Sequence, residues 1–314
     1  MKKKLASTCV LATTGTCCGR RILSVLLSLV LLLSLLPTTA LADGETHPSG
    51  VNITIGSDSI NIDPGKCLTK NEAKSENIKD YSSEVTYVAR YDSTGTLYLN
   101  GYDGGNISAT NGSLSIVLEG SNTVTVVGSS GSQIEGIIGN NVDLTIQGSG
   151  SLTVDATGSG TGNVYGIWGK SVAIADSANV TVNAKTAQTA THAIYAKNGF
   201  STTGSGALDL TVEGETGNGQ SLNGIYVETG DISLGSDGTK SITMKGAGGM
   251  VYGIRTDTSG KITVDGGGGL TIKNETSYND PSAISAKGVV TLNAPVTIEN
   301  FKFGVYNNST ALSG

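Results

Sequence analysis

Seven times between residues 114 and 305 the same three-part pattern returns. An apolar residue opens each unit: Leu114, Leu144, Val172, Phe200, Ile232, Ile262 and Val290. An apolar-Thr-apolar triplet follows, centred on Thr125, Thr153, Thr181, Thr211, Thr243, Thr271 and Thr297. A Gly-Ile pair or close variant closes it: Gly136-Ile137, Gly166-Ile167, Ala193-Ile194, Gly224-Ile225, Gly253-Ile254, Ala283-Ile284 and Gly304-Val305. The first five steps between these pairs are 27 to 31 residues and the last is 21. A unit this short cannot bury an apolar face alone, so it must stack on a copy of itself. No segment inside the repeat has helical period. Three alternating segments joined by glycine-rich corners make one coil of a β-solenoid. The expected fold is all-β: a right-handed parallel β-helix with three short strands per coil of about 28–30 residues. The hand follows from the strong preference of crossovers between parallel strands, and equivalent residues of neighbouring coils should lie about 4.8 Å apart.

The period also settles what composition leaves open. With 45 glycines and only 15% charged residues, the chain is either disordered or a repeated β structure. Ahead of the full units, Leu97-Tyr98-Leu99 and Ile107-Ser108-Ala109 flank the turn Asp103-Gly104-Gly105-Asn106 and read as a partial coil. Further upstream, Thr69-Lys70-Asn71-Glu72 has the form of a capping box. It predicts a short helix near residues 70–78 closing the N-terminal end of the core, with a polar loop as the alternative. Within the repeat, Thr202 stands where an inward aliphatic belongs.

Residues 1–42 read as a signal peptide: a basic start, the apolar run from Ile22 to Leu36, a break at Pro37 and small residues at Ala40-Leu41-Ala42. The run is short for a membrane span, so no span is expected after cleavage and the protein is expected to be secreted or at the cell surface. The remaining chain carries 15 basic and 26 acidic residues, a net of −11, which argues against nucleic acid as a partner. Cys67 is the one cysteine left, which excludes an intrachain disulfide and a cysteine metal site. Three regions result: 1–42 as signal, 43–94 as cap and lead-in, and 95–314 as solenoid repeats. Val305 leads to Leu312 with the spacing that opens a new coil elsewhere. The repeats are therefore expected to continue beyond residue 314, and an uncapped last coil invites end-to-end self-association.

The stretch GTLYLNGYDGGNISATNGSLSIVLEGSNTVTV, residues 95–126, resembles the repeats of secreted parallel β-helix proteins of Gram-positive anaerobic bacteria, commonly described as carbohydrate-binding-domain proteins. The resemblance covers roughly residues 85–314 and rests on strand and turn residues. It implies the solenoid fold and polysaccharide binding at the cell surface, and it carries over no ligand residue.

The candidate site comes from the outward positions. With Ile167 inward, Trp168 faces out, and its column reads Ile138, Trp168, Tyr195, Tyr226, Arg255, Ser285, Tyr306. The glycines and alanines of the Gly-Ile pairs are expected on one side as a low outward shelf, with Asn140, Lys170, Lys197, Glu228, Asp257, Lys287 and Asn308 on the other. Rings beside hydrogen-bonding groups suit a sugar chain, whose C–H faces pack on aromatics while its hydroxyls meet polar side chains. The candidate binding residues are therefore Trp168, Tyr195, Tyr226, Arg255, Lys170, Lys197, Glu228 and Asp257, with a polysaccharide or a host or cell-wall glycan as ligand. No catalytic residue, cofactor or metal is assigned. One alternative is a structural or adhesive rod whose rings and threonines only hold the stack. Another is a polysaccharide lyase or hydrolase using Glu228 and Asp257 on adjacent coils. The bland reading of those acids is a salt ladder, Lys197 with Glu228 and Asp257 with Lys287. The threonines read as one unbroken outward column, a structural ladder rather than an ice-binding face. An outward Tyr226 should matter less to folding than its inward neighbour Ile225.

Overall fold

The structure, a computed structural model, describes residues 46–307 apart from 56, 130, 187, 215–220, 248 and 278–279. The signal segment, Asn308 and Leu312 lie outside the described residues. Parallel sheets wind into the expected β-solenoid. The second strands stack as an eight-stranded sheet, one strand for each unit plus Asp103–Gly104 of the partial coil. Third and first strands run together as one bent strand early in the rod, as in Ile134–Gly148 and Val164–Ile174. Later they separate, as in Ser221–Val227 and Asp231–Leu234. The inward aliphatics form a continuous column: Ile137, Ile167, Ile194, Ile225, Ile254 and Ile284 all have zero exposure and pair in register. Burying such a column drives the stacking that no single coil achieves.

No helix forms at residues 70–78. Residues 70–77 are loop with one 3₁₀ turn at Ser75–Asn77, and Ile78 begins the strand Ile78–Asp80. The side chains of the sequence motif have other partners: the Thr69 hydroxyl donates to the Asn77 carbonyl, and Glu72 pairs with Lys74 at 3.1 Å. The N-terminal end is closed by antiparallel strands instead. The hairpin of Val51–Ile55 and Asp58–Ile62 lies along Ile107–Glu119. Ala89–Tyr91 covers the outer edge of Thr96–Asn100. Covering those edges removes a row of unpaired backbone groups.

The threonine column is broken. Thr153 pairs with Thr123 rather than Thr125, Thr211 with Asn183 rather than Thr181, and Thr243 with Lys273 rather than Thr271. Each slip is two residues, which keeps every side chain on its face because the strand repeat is two. One slip brings Leu208 inward, to 3% exposure, opposite Val180. The same alignment turns Lys240 inward, and its ammonium is held by the carbonyls of Ser236 and Gly238 at 2.5 and 3.0 Å. Thr202 is buried, as its position in the repeat requires.

Candidate functional site

The geometry of the Gly-Ile pair decides the site. Both of its residues face the core. A Cβ on Gly224 would lie 2.5 Å from Ile242 Cγ2 and 2.5 Å from the Gly253 carbonyl oxygen, and Gly253 meets Ile272 and Ala283 in the same way. Glycine is there because the second strand's branched aliphatic and the next coil's backbone fill the space. Ala193 and Ala283, each with zero exposure, take the position in two other coils. The expected outward shelf of glycines is therefore absent. Two consecutive inward residues also break the alternation, so the residue before the glycine turns out beside the ring column.

This produces a second outward column that sequence reading missed: Glu135, Tyr165, His192, Asn223, Tyr252, Ser282 and Phe303, paired rung by rung. The two columns interleave. Tyr165 lies 5.0 Å from Trp168 and stacks on His192 at 5.1 Å with planes 5° apart. His192 meets Tyr226 at 5.3 Å, and Tyr195 stands edge-on to Trp168 at 5.7 Å. Tyr195 and Tyr226 are 5.4 Å apart. Beyond them, the Arg255 guanidinium sits over Tyr252 at 4.6 Å and Tyr226 at 5.4 Å. Trp168 is thus no isolated surface ring. It is half-buried at one end of a cluster spanning three coils, while Tyr165 and His192 are buried at 8% and 7% exposure. The signal for the second column was the residue before each Gly-Ile, legible only once the glycine was placed inside.

The charged column is organised by the tyrosines, not by a salt ladder. The Tyr195 hydroxyl donates to Glu228 at 2.9 Å and Tyr226 to Asp257 at 2.7 Å, each reaching one coil further on. Arg255 Nε donates to the other Asp257 oxygen at 2.7 Å. Neither Lys197–Glu228 nor Asp257–Lys287 is an ion pair in the described structure, and Lys170 pairs with Asp143 at 2.7 Å. Burial, then the bonds to the acids, push both tyrosine hydroxyls well above their ordinary range. Burial alone would raise the Asp257 carboxyl, but the Tyr226 hydroxyl and Arg255 outweigh it and hold it low. Burial, with Arg255 nearby, drives the His192 imidazole down to about 3, so it is neutral at physiological pH.

In the second column, His192 Nδ1 and Asn223 Oδ1 are buried with no hydrogen-bond partner among the described residues, as is Thr191 Oγ1 on the core side of the same strand, in register with Val164 and Leu222. Each such atom costs about 1–3 kcal/mol. No group of three or more His, Cys, Asp or Glu side chains is placed to hold a metal among the described residues. Fold and site together define a parallel β-solenoid bearing a half-buried aromatic cluster with polar side chains along its border. Comparison with protein-family models, curated proteins and solved structures finds no match to the chain.

Proposed function

We propose that this protein is a non-catalytic glycan-binding solenoid, exported by its N-terminal segment and displayed outside the cell. The observation that carries this is the ring cluster. Trp168, Tyr195 and Tyr226 keep part of their surface in solvent on three consecutive coils, beside Lys197, Glu228 and Asp257. The unsatisfied atoms of His192 and Asn223, paired on adjacent coils, lie beside these rings. A ladder selected only for stability would have no reason to gather them there. Secretion rests on the sequence pattern of residues 1–42 and on the resemblance to secreted β-helix repeats. Among the described residues no helix is long and apolar enough to cross a membrane.

The rod reading retains one observation of its own: the rings of the cluster contact one another at 5.0 to 5.7 Å and so stabilise the stack whether or not a ligand binds. The carboxylates of Glu228 and Asp257, which a lyase or hydrolase would need, accept tyrosine hydroxyls here. A glycan array on the chain from residue 43 separates binder from rod. Trp168→Ala should weaken any hit by roughly 1–3 kcal/mol while the far-ultraviolet circular dichroism stays that of a β-solenoid. Unchanged affinity in the folded variant, or no hit on the array, removes the glycan-binding reading.

A further inference from the structure

At the C-terminal edge of the rings lies a cavity of about 210 Å³ that the outward columns alone do not reveal. Tyr252, Arg255, Asp257, Ser285, Lys287 and Tyr306 line it. Its charges are unequally engaged. Both Asp257 oxygens are occupied, one by Arg255 Nε and the other by the Tyr226 hydroxyl. The two terminal nitrogens of Arg255 make no hydrogen bond among the described residues. Lys287 is exposed and has neither an ion pair nor a hydrogen bond among them. The acid is therefore turned to internal work, and the donors left facing the cavity belong to two cations. Tyr252 and Tyr306 add ring surface on its walls, with Tyr306 45% exposed.

From this we infer that the cavity is an acidic-sugar subsite: it takes a carboxylated sugar at one end of a glycan whose other residues lie on Trp168, Tyr195 and Tyr226. The inference rests on the glycan-binding reading and specifies its ligand class. Two terminal guanidinium nitrogens present parallel N–H groups that match the two oxygens of a carboxylate, and Lys287 supplies a second charge from the opposite rung. Arg255 is also fixed in place, by its bond to Asp257 and by the Tyr226 and Tyr252 rings beneath it. A fixed donor pair loses less freedom on binding than a mobile one. A neutral sugar would have to desolvate these cations without pairing them. The chain's overall negative charge opposes a dense polyanion at long range, so the fit is to one carboxylate held locally rather than to a run of charge.

Isothermal titration of the chain from residue 43 tests this with two probes. One is a neutral hexose oligomer ending in a single uronic acid residue; the other is the same oligomer with that one carboxyl group reduced to a primary alcohol. The acidic oligomer should bind about tenfold tighter, the size of one charged hydrogen-bonded pair, and its advantage should shrink with added sodium chloride. Lys287→Gln alters only an exposed side chain and should narrow the acid-to-neutral ratio. Arg255→Gln with Lys287→Gln should bring that ratio close to one, whereas Trp168→Ala should weaken both oligomers and leave the ratio standing. Equal binding of both oligomers by the unaltered protein overturns the subsite and leaves the ring face intact. An acid preference that survives the double substitution also overturns it. Binding of neither oligomer counts against the ring face itself, and the subsite falls with it.

Discussion

His192 shows how much one residue's setting matters. Its ring is sandwiched between Tyr165 and Tyr226, and burial keeps it neutral, with its proton affinity lowered from 6.5 to about 3. Above pH 6.5 the folded and unfolded chains both carry it neutral, so nothing is lost there. As pH falls below 6.5 the unfolded chain binds a proton that the folded chain refuses. Stability then drops by about 1.4 kcal/mol per pH unit until the folded value is reached. The depressed Asp257 carboxyl contributes only below its reference of 3.8, and the Glu135 carboxyl, raised by burial, acts in the opposite sense as pH falls, so the histidine's part is read from the difference between the protein and a His192 variant. His192→Phe keeps a ring in the stack and serves as that variant. From pH 7 to pH 5, urea unfolding should show the unaltered protein losing about 2 kcal/mol more than His192→Phe. Equal pH sensitivity in the two proteins would mean the imidazole is not held neutral.

The third strand is the element in which sequence pattern and packing meet. Ile225 has zero exposure, and Ile225→Asp would bury a charge without a partner. A loss of at least about 3 kcal/mol is expected, enough to disrupt the stack. Tyr226, the next residue, is not the indifferent outward position its alternation implies. It contacts His192 and Tyr195 and bonds Asp257. Tyr226→Phe should lose about 1 kcal/mol, the value of one hydrogen bond, and Tyr226→Ser more, because the ring contacts go too. Equal urea midpoints for Ile225→Asp and Tyr226→Phe would contradict the assignment of faces. At the preceding position, Gly224→Val drives branched methyls toward Ile242 and the Gly253 carbonyl. It should destabilise by about 1–3 kcal/mol, as overpacking does. Ala193→Gly, at the same site one coil earlier, should change stability by about 0.5–1 kcal/mol. Thermal melts of the two variants check the contrast.

For the molecule as a whole, stability should not be uniform along the rod. Each coil leans only on its neighbours, so stability is close to a sum of local terms. The N-terminal end is closed by antiparallel strands and buries Val51, Ile53, Ile62, Leu68 and Tyr91 at no more than 1% exposure. At the other end of the described residues, Phe303, Val305 and Tyr306 are 38%, 45% and 45% exposed, although Val305 continues the column of Ile284. Amide hydrogen exchange should therefore be slowest across residues 134–264 and fastest across residues 290–307. Uniform protection along the chain would show that the coils unfold as one unit.

Repetition made the architecture legible. The inward isoleucine column could be listed from the sequence, and the structure pairs those residues as listed, because a slip by an odd number would turn apolar side chains to solvent. The ring column of Trp168, Tyr195, Tyr226 and Arg255 followed from the same register. Even slips carry no such penalty from the pattern, so the breaks in the threonine column were decided by which alignment buried Leu208 and found carbonyls for Lys240. The capping-box sequence near residue 70 failed for a related reason: local side-chain chemistry is weak, and strand pairing across the cap gave Thr69 and Glu72 other surroundings. Sequence alone thus determined the solenoid, its coil length and one face of rings. Only the tertiary structure decided that the glycines point inward, because their reason for being glycine is the side chain of a strand one coil away. That contact places Tyr165, His192 and Tyr252 beside the ring column and turns the acids toward the tyrosines, and no spacing within a single repeat contains it.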